Sequence, residues 1–550
     1  MNKKIKMFLF LLLIILFAVI AILNTIFKNK FQKYEYTLES NTNMLANQTS
    51  TENPKKLKIL VIEFDPILKT KGNIKTSEYF NRKGDEKAII DEVTSDLSYS
   101  SHGYVQCEIV DWIETNRFPP YTQEIQLSNG KKSHCFDEAT WLDLMKDGYY
   151  GWWERPLAKT LGNYVFDYQD IIDKYNLVQR KNNNEFDWVF LSMTEPAQAY
   201  ESVMVGNNAY WINGPSYSAK CSNFPIIFAN LTRKDGILHS VGHMTENIMN
   251  NVFNTFSNEY KYYDKKAINI KNLSEYNSLN KWQKYILSSF NSNTTFNGIE
   301  HYGVGNVHFP ANATEDYDYT NKTKVYSNWR DWQENYPNLK GQFELTSSSI
   351  WLDEHPSSGD DSADRRFQRW WFKNMPHISG RDGQGYYHNW WKYITTLDFV
   401  TEISSKTESL NLNIGNNPDK ISYTCTYKSG KIQNISNNSG IQIKDTSILN
   451  ISDDGILIGK KAGSTTANIW KDGKSISIPV KVLQTDTSNP KLTISYSTKE
   501  ATNQPVVVTI TSDEEILAVN GWTLSSDNKK ISKSFTANYS GEVTVSDKAR

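Results

Sequence analysis

The sequence predicts a large α/β or α+β extracellular domain, followed by one or two all-β Ig-like sandwich domains, with an N-terminal transmembrane helix. Between residues 56 and 405, apolar runs that suit buried strands alternate with helical stretches. From about residue 406 onward, aromatic residues become fewer, and short runs of alternating Ile and Val are separated by Gly, Asn and Asp. This second pattern is typical of β-sandwiches.

The N-terminal segment, residues 1–30, predicts a membrane span. Its apolar run begins at Met7 and continues through Asn24 to Phe27, with lysines on both sides. A run of about 20 residues is close to the length that a helix needs to cross a bilayer. No pair of small residues marks a cleavage site, so we expect an uncleaved anchor with the bulk of the chain outside the cell; secretion after signal cleavage is the alternative. The polar residues 31–55 predict a flexible spacer.

Three apolar runs predict strands of a sheet in the body of the protein, residues 56–405. They are LKILVIEF (57–64), DWVFLSM (187–193) and FPIIFANL (224–231). Acidic residues close the first two runs, and open sheets place their sites at the carboxyl ends of strands. Glu63, Asp65 and Glu195 are therefore secondary site candidates, although an acidic residue that closes a strand is more often part of a turn.

Residues 235–250, DGILHSVGHMTENIMN, predict one amphipathic helix. His239, His243 and Glu246 fall within about 60° of arc on this helix. The opposite face is apolar and consists of Ile237, Val241, Met244, Ile248 and Val252. Burial of the apolar face would turn the other face into a cleft, where two imidazoles and a carboxylate form a candidate metal triad. The alternative is that both histidines are hydrogen-bonded side chains in a polar seam.

The HxxGH spacing of His239, Gly242 and His243 resembles the zinc helix of the zincin metallopeptidases. The resemblance implies a zinc ion held by the two histidines, with Glu246 as the third ligand or as the catalytic base. The Glu that follows the first His in zincins is Ser240 here. A serine cannot take the proton of a metal-bound water near neutral pH, so the sequence departs from ordinary zincin catalysis.

Another candidate ligand comes from residues 303–321, which have no helical or strand period and are rich in Gly, Asn, Asp and aromatic residues. This composition indicates an ordered loop. His308, within that loop, would complete a three-histidine site with the two helix histidines and leave Glu246 free to act as the base. Asp316 and Asp318 would add carboxylates. The alternative is that His308 is structural or exposed.

Tryptophans occur in adjacent pairs, at 152–153, 370–371 and 390–391. Neighbouring residues on a helix point about 100° apart, so one ring of a pair can pack inward while the other lines a groove. We therefore predict that Trp371, Trp391 and Arg369 bind a ligand such as a sugar ring or a peptide side chain. The alternative is that the tryptophans fill a large core.

Residues 410–484 resemble the bacterial Ig-like group 2 domain. The resemblance rests on ILNISDDGILIGKKAGSTTANI, with a hairpin at Asp454-Gly455, and on the closing SISIPVKV. It implies a spacer or adhesion module without catalytic residues. In residues 488–550, TNQPVVVTITSDE leads to a Gly-Trp and then to FTANYSGEVTVSDKA, and this region resembles a second bacterial Ig-like repeat.

Charge and cysteine content exclude two classes of protein. With 60 basic and 61 acidic residues the net charge is −1, so we expect no nucleic-acid partner. Four cysteines in 550 residues do not make a dense disulfide framework. Cys107 and Cys135 are a candidate pair, which the sequence does not establish.

Two functions follow from these patterns. The first is a membrane-anchored cell-surface protein whose body is a metal-dependent hydrolase of peptide or glycan, with zinc as the expected metal, displayed with Ig-like modules. The second is a non-catalytic surface adhesin or receptor that binds polysaccharide or protein through aromatic clefts. In both, the expected partners are an extracellular polymer (peptide, glycan or cell wall) and the membrane, reached through the N-terminal helix.

Overall fold

The structure is a computed structural model of the 550-residue chain. It describes residues 52–80, 85–147, 155–160, 165–230, 236–255, 263–356, 361–417, 420–484 and 488–547. The chain divides into two compact units. The first comprises residues up to Glu402 together with Cys425–Gln433 and Lys471–Lys474, and the second comprises Ile403–Thr424, Asn434–Trp470 and Ser475–Arg550.

A six-stranded mixed sheet forms the centre of the first unit. Its strands are β1 (Lys55–Phe64), β2 (Val105–Thr115), β3 (Trp188–Met193), β4 (Ser202–Gly206), β5 (Ser216–Ser218) and β6 (Phe224–Asn230). Their order across the sheet is β2-β1-β3-β6-β4-β5. The first four strands in this order are parallel, and β4 is antiparallel to β6. The carboxyl ends of β1, β3 and β6 therefore lie along one edge of the sheet.

Helices cover the sheet. In the part of the first unit that the structure describes, the α-helices are α1 (Thr76–Tyr79), α2 (Asp85–Ser100), α3 (Glu138–Met145), α4 (Pro156–Thr160), α5 (Tyr168–Lys174), α6 (Leu177–Asn182), α7 (Gly236–Val252), α8 (Leu273–Ser278), α9 (Lys281–Ile286), α10 (Trp329–Asn335), α11 (Ala363–Lys373) and α12 (Trp391–Thr396). Two 3₁₀ turns lie at Lys69–Lys71 and Trp351–Asp353. α5 and α6 are separate helices, because Asn176 between them adopts a left-handed conformation with φ 51°.

The strands β1, β3 and β6 are apolar along their length because both faces of the sheet are covered. Ile59 and Val61 of β1 belong to one hydrophobic core, which also contains the apolar face of α7. Leu60 and Ile62 belong to a second core, together with apolar side chains of α5. Alternate residues of one strand thus enter opposite cores, as the two-residue period of a strand requires.

Short ladders complete the first unit. They pair Ile67–Leu68 with Ile74–Lys75, Ile125–Gln126 with Lys132–Ser133, Ile268–Asn269 with Ser292–Asn293, Thr295–Phe296 with Ile299–Glu300, Val325–Ser327 with Glu344–Thr346, and His377–Arg381 with Tyr387–Asn389. Cys107, Cys135, Cys221 and Cys425 are all free thiols, so the candidate pair Cys107 and Cys135 is not bonded.

The second unit consists of β-strands. Within residues 410–484, a four-stranded sheet has the order Leu410–Asn413, Lys474–Leu483, Gly463–Lys471, Ile441–Ile443, and a three-stranded sheet has the order Gly415–Asn417, Leu457–Gly459, Leu449–Ile451. A further four-stranded sheet has the order Leu492–Tyr496, Val506–Ser512, Lys530–Phe535, Thr523–Leu524. Three further strands, Val400–Ser404, Tyr423–Tyr427 and Ile432–Ile435, contain residues that are assigned partly to the first unit and partly to the second. Along Lys474–Leu483, Ile478, Val480 and Val482 are buried at every second position.

The predicted fold class requires a correction. The described structure is a mixture of sheets and helices that gives no support to the predicted N-terminal transmembrane helix. Among the described residues, none of the helices combines the length and the apolar character that a membrane span requires. The predicted span at residues 7–27 lies outside the described residues. So does the predicted spacer at 31–55, except for its last four residues, 52–55.

Candidate metal centre

Helix α7 positions two histidines at the carboxyl edge of the sheet, because it follows β6 in the chain. Its apolar residues Ile237, Val241, Met244 and Ile248 are at most 1% exposed and lie in the large core beside the sheet. Burial of this face fixes the rotation of the helix and turns the opposite face toward the loop that carries His308.

Three imidazoles converge at one point. Nε2 of His243 lies 3.1 Å from Nε2 of His239 and 3.0 Å from Nε2 of His308. A tetrahedral zinc ion with Zn–N bonds of about 2.0–2.1 Å holds its nitrogen ligands about 3.3 Å apart. The three nitrogens therefore already have nearly the spacing that such an ion requires, and they form one of two groups of potential metal ligands among the described residues.

A carboxylate faces the other ring nitrogen of each of these histidines. Nδ1 of His239 lies 3.4 Å from Asp364, Nδ1 of His243 lies 3.0 Å from Glu246, and Nδ1 of His308 lies 2.7 Å from Asp316. Glu246 and Asp316 lie at hydrogen-bond distance and hold the ring proton on Nδ1 of His243 and His308, which leaves the Nε2 lone pair of these two rings free to bind a metal.

Imidazole nitrogens that face one another at this distance repel unless a proton or a metal cation lies between them. This arrangement of donors therefore suits a metal ion, and histidine nitrogen is a preferred ligand of zinc.

The loop of His308 approaches α7 closely. A Cβ atom at Gly242 would lie 2.7 Å from Cγ2 of Val307, so the glycine makes room for the loop. Gly305 has φ +100°, and the carboxamide oxygen of Asn306 accepts hydrogen bonds from the backbone N–H groups of His308 and Phe309, at 3.1 and 2.9 Å. The backbone of the loop thus fixes the position of the His308 ring.

Glu246 does not have the geometry of the ligand or base predicted for it. Its side chain is 1% exposed, and its Oε2 atom faces Nδ1 of His243, on the opposite side of that ring from the three Nε2 atoms. Oε2 also accepts a hydrogen bond from the Tyr263 hydroxyl, and Oε1 accepts one from the Val307 N–H at 2.9 Å. Because both oxygens have donors, Glu246 orients His243 and fastens the His308 loop to α7.

The field at the centre is negative. Burial by itself lowers the pKa of His243, but Glu201, Glu246 and Asp364 more than offset that effect and raise it to about 9. For Glu246, burial raises the pKa, yet the hydrogen bond and charge of His243 bring it below its ordinary value. A site that favours an added proton this strongly also favours a bound cation.

Glu201 is a site residue that sequence reasoning missed. It lies one residue before β4, and its Oε2 atom is 3.6 Å from Nε2 of His243, on the side where the three imidazoles meet. Oε2 also accepts a hydrogen bond of 2.7 Å from the carboxamide of Asn213. The surrounding sequence, AYESVMVG, has no motif that would indicate this role.

The centre is open to solvent on one side. The side chains of Glu201 and His308 are 28% and 15% exposed, whereas His239 and His243 are 2% and 8% exposed. Tyr317, 44% exposed, has its ring centroid 4.3 Å from that of His308 and 5.7 Å from that of His239. A ligand would therefore approach past Tyr317, His308 and Glu201.

The other predicted carboxylates lie outside this cluster. Glu63 and Asp65 form the second group of potential ligands with Glu86. Asp65 accepts hydrogen bonds from the Thr76 hydroxyl and from both the N–H and the hydroxyl of Ser77. Glu195 accepts one from the Ala197 N–H, and Asp318 accepts three from Thr314 and Asn321. These contacts are those of turn and loop residues.

The predicted ligand-binding residues Trp371, Trp391 and Arg369 are buried. Both tryptophans are 0% exposed, and the indole N–H of Trp371 donates to the Gly305 carbonyl. Arg369, 5% exposed, pairs with Asp96 and stacks over Tyr99 at 4.1 Å. Residues this buried offer no surface to a sugar or peptide, because α11 and α12 are enclosed by other aromatic residues of the large core.

Comparisons with known proteins identify no family. No protein-family model matches the chain, and no curated protein matches it. Parts of the chain are similar to domains 4–9 of the surface layer protein SbsC, at 14% identity over 24% of this chain and 26% of that chain, with a TM-score of 0.14. Domains 5–6 of the S-layer protein SbsC match at 14% identity over 28% of this chain and 86% of that chain, with a TM-score of 0.12.

The extracellular cadherin domains 1–4 of protocadherin gamma B7 match at 8% identity over 27% of this chain and 42% of that chain, with a TM-score of 0.13. The chain thus spans only about a quarter of the structure of SbsC domains 4–9. The neighbours are surface-layer, cell-surface and cadherin domains, and none of the comparisons supports the resemblance to zincins. Because the TM-scores are far below 0.5, these likenesses carry no argument about activity or partners.

Proposed function

We propose that the first unit is a metal-dependent hydrolase that acts at the cell surface on an extracellular peptide or glycan. The observation that carries this proposal is the convergence of three Nε2 atoms, each backed by a carboxylate on its Nδ1 atom. Three protein ligands leave a fourth position for water on a tetrahedral zinc ion, and zinc lowers the pKa of that water enough to make it a nucleophile.

His239, His243 and His308 would hold the ion, and Asp364, Glu246 and Asp316 would orient these ligands. This assignment keeps the zinc and the histidines predicted from the sequence but changes the role of Glu246. The second unit fits a spacer or adhesion module, since neither group of potential ligands found among the described residues lies in it.

The first test is the metal content of the full chain, purified without a chelator and with an affinity tag that binds no metal. We expect about one zinc ion or other transition-metal ion per chain. His243→Ala and His308→Ala should lose it while keeping the circular dichroism spectrum of the wild type.

His355→Ala is the matched control, because His355 also pairs with an aspartate, Asp361, at 3.2 Å but belongs to neither group of potential ligands found among the described residues. This variant should keep the metal. A folded wild-type chain without metal would refute the proposal.

A non-catalytic surface adhesin is the second candidate. The β-strand architecture of the second unit suits binding or spacing. Chelator-sensitive cleavage of casein or of cell-wall peptidoglycan would favour the hydrolase. Binding to a wall polymer by a chain that contains no metal would favour the adhesin.

A further inference from the structure

The sheet brings Glu201 to the site from outside the histidine helix. The Glu201 carbonyl accepts a hydrogen bond of 2.9 Å from the Phe228 N–H, across the β4–β6 ladder. The Phe228 carbonyl in turn accepts a hydrogen bond of 3.2 Å from the Ser240 hydroxyl of α7. Ser240, which stands where a zincin has its Glu, therefore ties the helix to the sheet, and the neighbouring strand provides a carboxylate instead.

Glu201 approaches the imidazole rings from a different side than the other carboxylates at the centre. Asp364, Glu246 and Asp316 face Nδ1 atoms, whereas Oε2 of Glu201 lies 3.6 Å from an Nε2 atom. A carboxylate on the Nε2 side faces the point where the three imidazoles converge. Its partial exposure also leaves it in reach of a substrate.

A strained turn holds this carboxylate in place. Asn213, whose carboxamide donates to Glu201, has φ 129°, a conformation that residues other than glycine rarely adopt. The turn packs tightly against the strand, since a Cβ atom at Gly214 would lie 2.7 Å from the Ser202 carbonyl. The Ser202 hydroxyl also donates to the Ile212 carbonyl at 3.0 Å. Strain of this kind is commonly found where a side chain must be positioned for function.

We propose that Glu201 is the general base of the metal centre and that Asn213 is its positioning residue, an inference that rests on the proposed function. A metal ion held by the three histidines would lower the pKa of the attacking water, and Glu201 would take a proton from that water as the water oxygen bonds to the electrophilic carbon of the substrate. The bond from that carbon to the leaving group would then break, and Glu201 would pass the proton to the leaving group. Atoms and charge balance without another reactant.

The test compares Glu201→Gln with the wild type in the full chain loaded with cobalt(II), which reports its coordination through its visible spectrum. The amide oxygen of Gln can still accept the hydrogen bond of Asn213, so the fold should persist. We expect unchanged cobalt stoichiometry and affinity, and a loss of about 100-fold in kcat for hydrolysis of 4-nitrophenyl acetate with KM unchanged. Glu195→Gln, two residues after the end of β3, is the matched control and should behave as the wild type.

Asn213→Ala should lower kcat by about 10-fold, leave KM unchanged and displace the acidic limb of the pH–rate profile, which a purely structural role would not do. Retained activity in Glu201→Gln would overturn the inference. So would a large loss of cobalt affinity together with a changed spectrum, because Glu201 would then be a fourth ligand. A wild-type chain that binds no cobalt would instead refute the proposed function, so the two failures are distinguishable.

Discussion

Two groups of potential metal ligands lie in the described part of the first unit, and they differ in what their facing atoms already bind. In the histidine group, carboxylates face the Nδ1 atoms, and Nε2 of His243 faces the Nε2 atoms of His239 and His308 and the carboxylate of Glu201. In the group of Glu63, Asp65 and Glu86, protein donors occupy Asp65, and the Trp112 indole donates to Glu63 at 2.7 Å. Convergence of ligand atoms alone does not define a metal site; their lone pairs must also lack donors within the protein.

The largest effect on stability should come from the carboxylate group. Asp65→Ala leaves the buried hydroxyls of Thr76 and Ser77 and one N–H without their acceptor, so we expect a loss of about 2–4 kcal/mol in the free energy of unfolding. Urea denaturation measures it. The metal content of Asp65→Ala should equal that of the wild type. A loss of metal in this variant would show that the carboxylate group, and not only the histidine group, binds metal.

Gly242→Ala should disturb the histidine group. Its Cβ would meet Val307 at 2.7 Å and displace the loop of His308. We expect a loss of about 1–3 kcal/mol in stability and a lower metal affinity. Ser240→Ala, on the same helix, removes one hydrogen bond to the sheet and should keep the affinity of the wild type. Equal affinities in wild type and Gly242→Ala, measured by competition with a chelating dye, would contradict the close packing of loop and helix.

Removal of one orienting carboxylate should have a moderate effect. Asp316→Asn weakens the interaction that orients His308 through its Nδ1 atom, so we expect the zinc affinity to fall about 10-fold. This is the lower end of the loss expected when a carboxylate behind a metal ligand is removed, because Asp316 is 55% exposed. Asp318→Asn, in the same loop, serves as the control. If both variants bind zinc equally well, Asp316 does not orient His308.

The smallest effect concerns pH and Glu63. Burial, with further contributions from Glu86 and Asp65, raises the pKa of Glu63 from 4.5 to about 7. The folded chain therefore keeps this proton at a pH where the unfolded chain has lost it, and stability falls as pH rises from about 4.5 to about 7. Glu63→Gln cannot lose a proton at this position, so its stability should not fall in this pH range for that reason. The free energy of unfolding of Glu63→Gln relative to the wild type should therefore rise by on the order of 1 kcal/mol between pH 5 and pH 8. A pH-independent difference in urea midpoints would contradict the raised pKa.

Local sequence patterns predicted the elements that carry the histidines. The apolar run at 57–64 lies within β1, and the apolar face of the helix predicted at 235–250 is buried along α7. The irregular stretch that contains His308 is a loop. These features could be predicted because burial of an apolar face needs only the periodicity of one segment.

Other features depend on tertiary structure that periodicity does not contain. The helical period predicts that Glu246 lies near His243, but it does not determine which ring nitrogen the carboxylate contacts. Glu201 reaches the site only because β4 inserts antiparallel beside β6. The predicted groove is not found at 370–371 and 390–391, because α11 and α12 are enclosed on several sides and both rings of these two pairs are buried.

The most direct measurement is anomalous X-ray diffraction from crystals of the full chain grown with zinc, at energies on either side of the zinc absorption edge. Our account predicts one anomalous peak about 2 Å from Nε2 of His239, His243 and His308. It predicts no peak at Glu63 and Asp65. A peak at the carboxylates, or a folded chain without a peak at the histidines, would contradict the central claim.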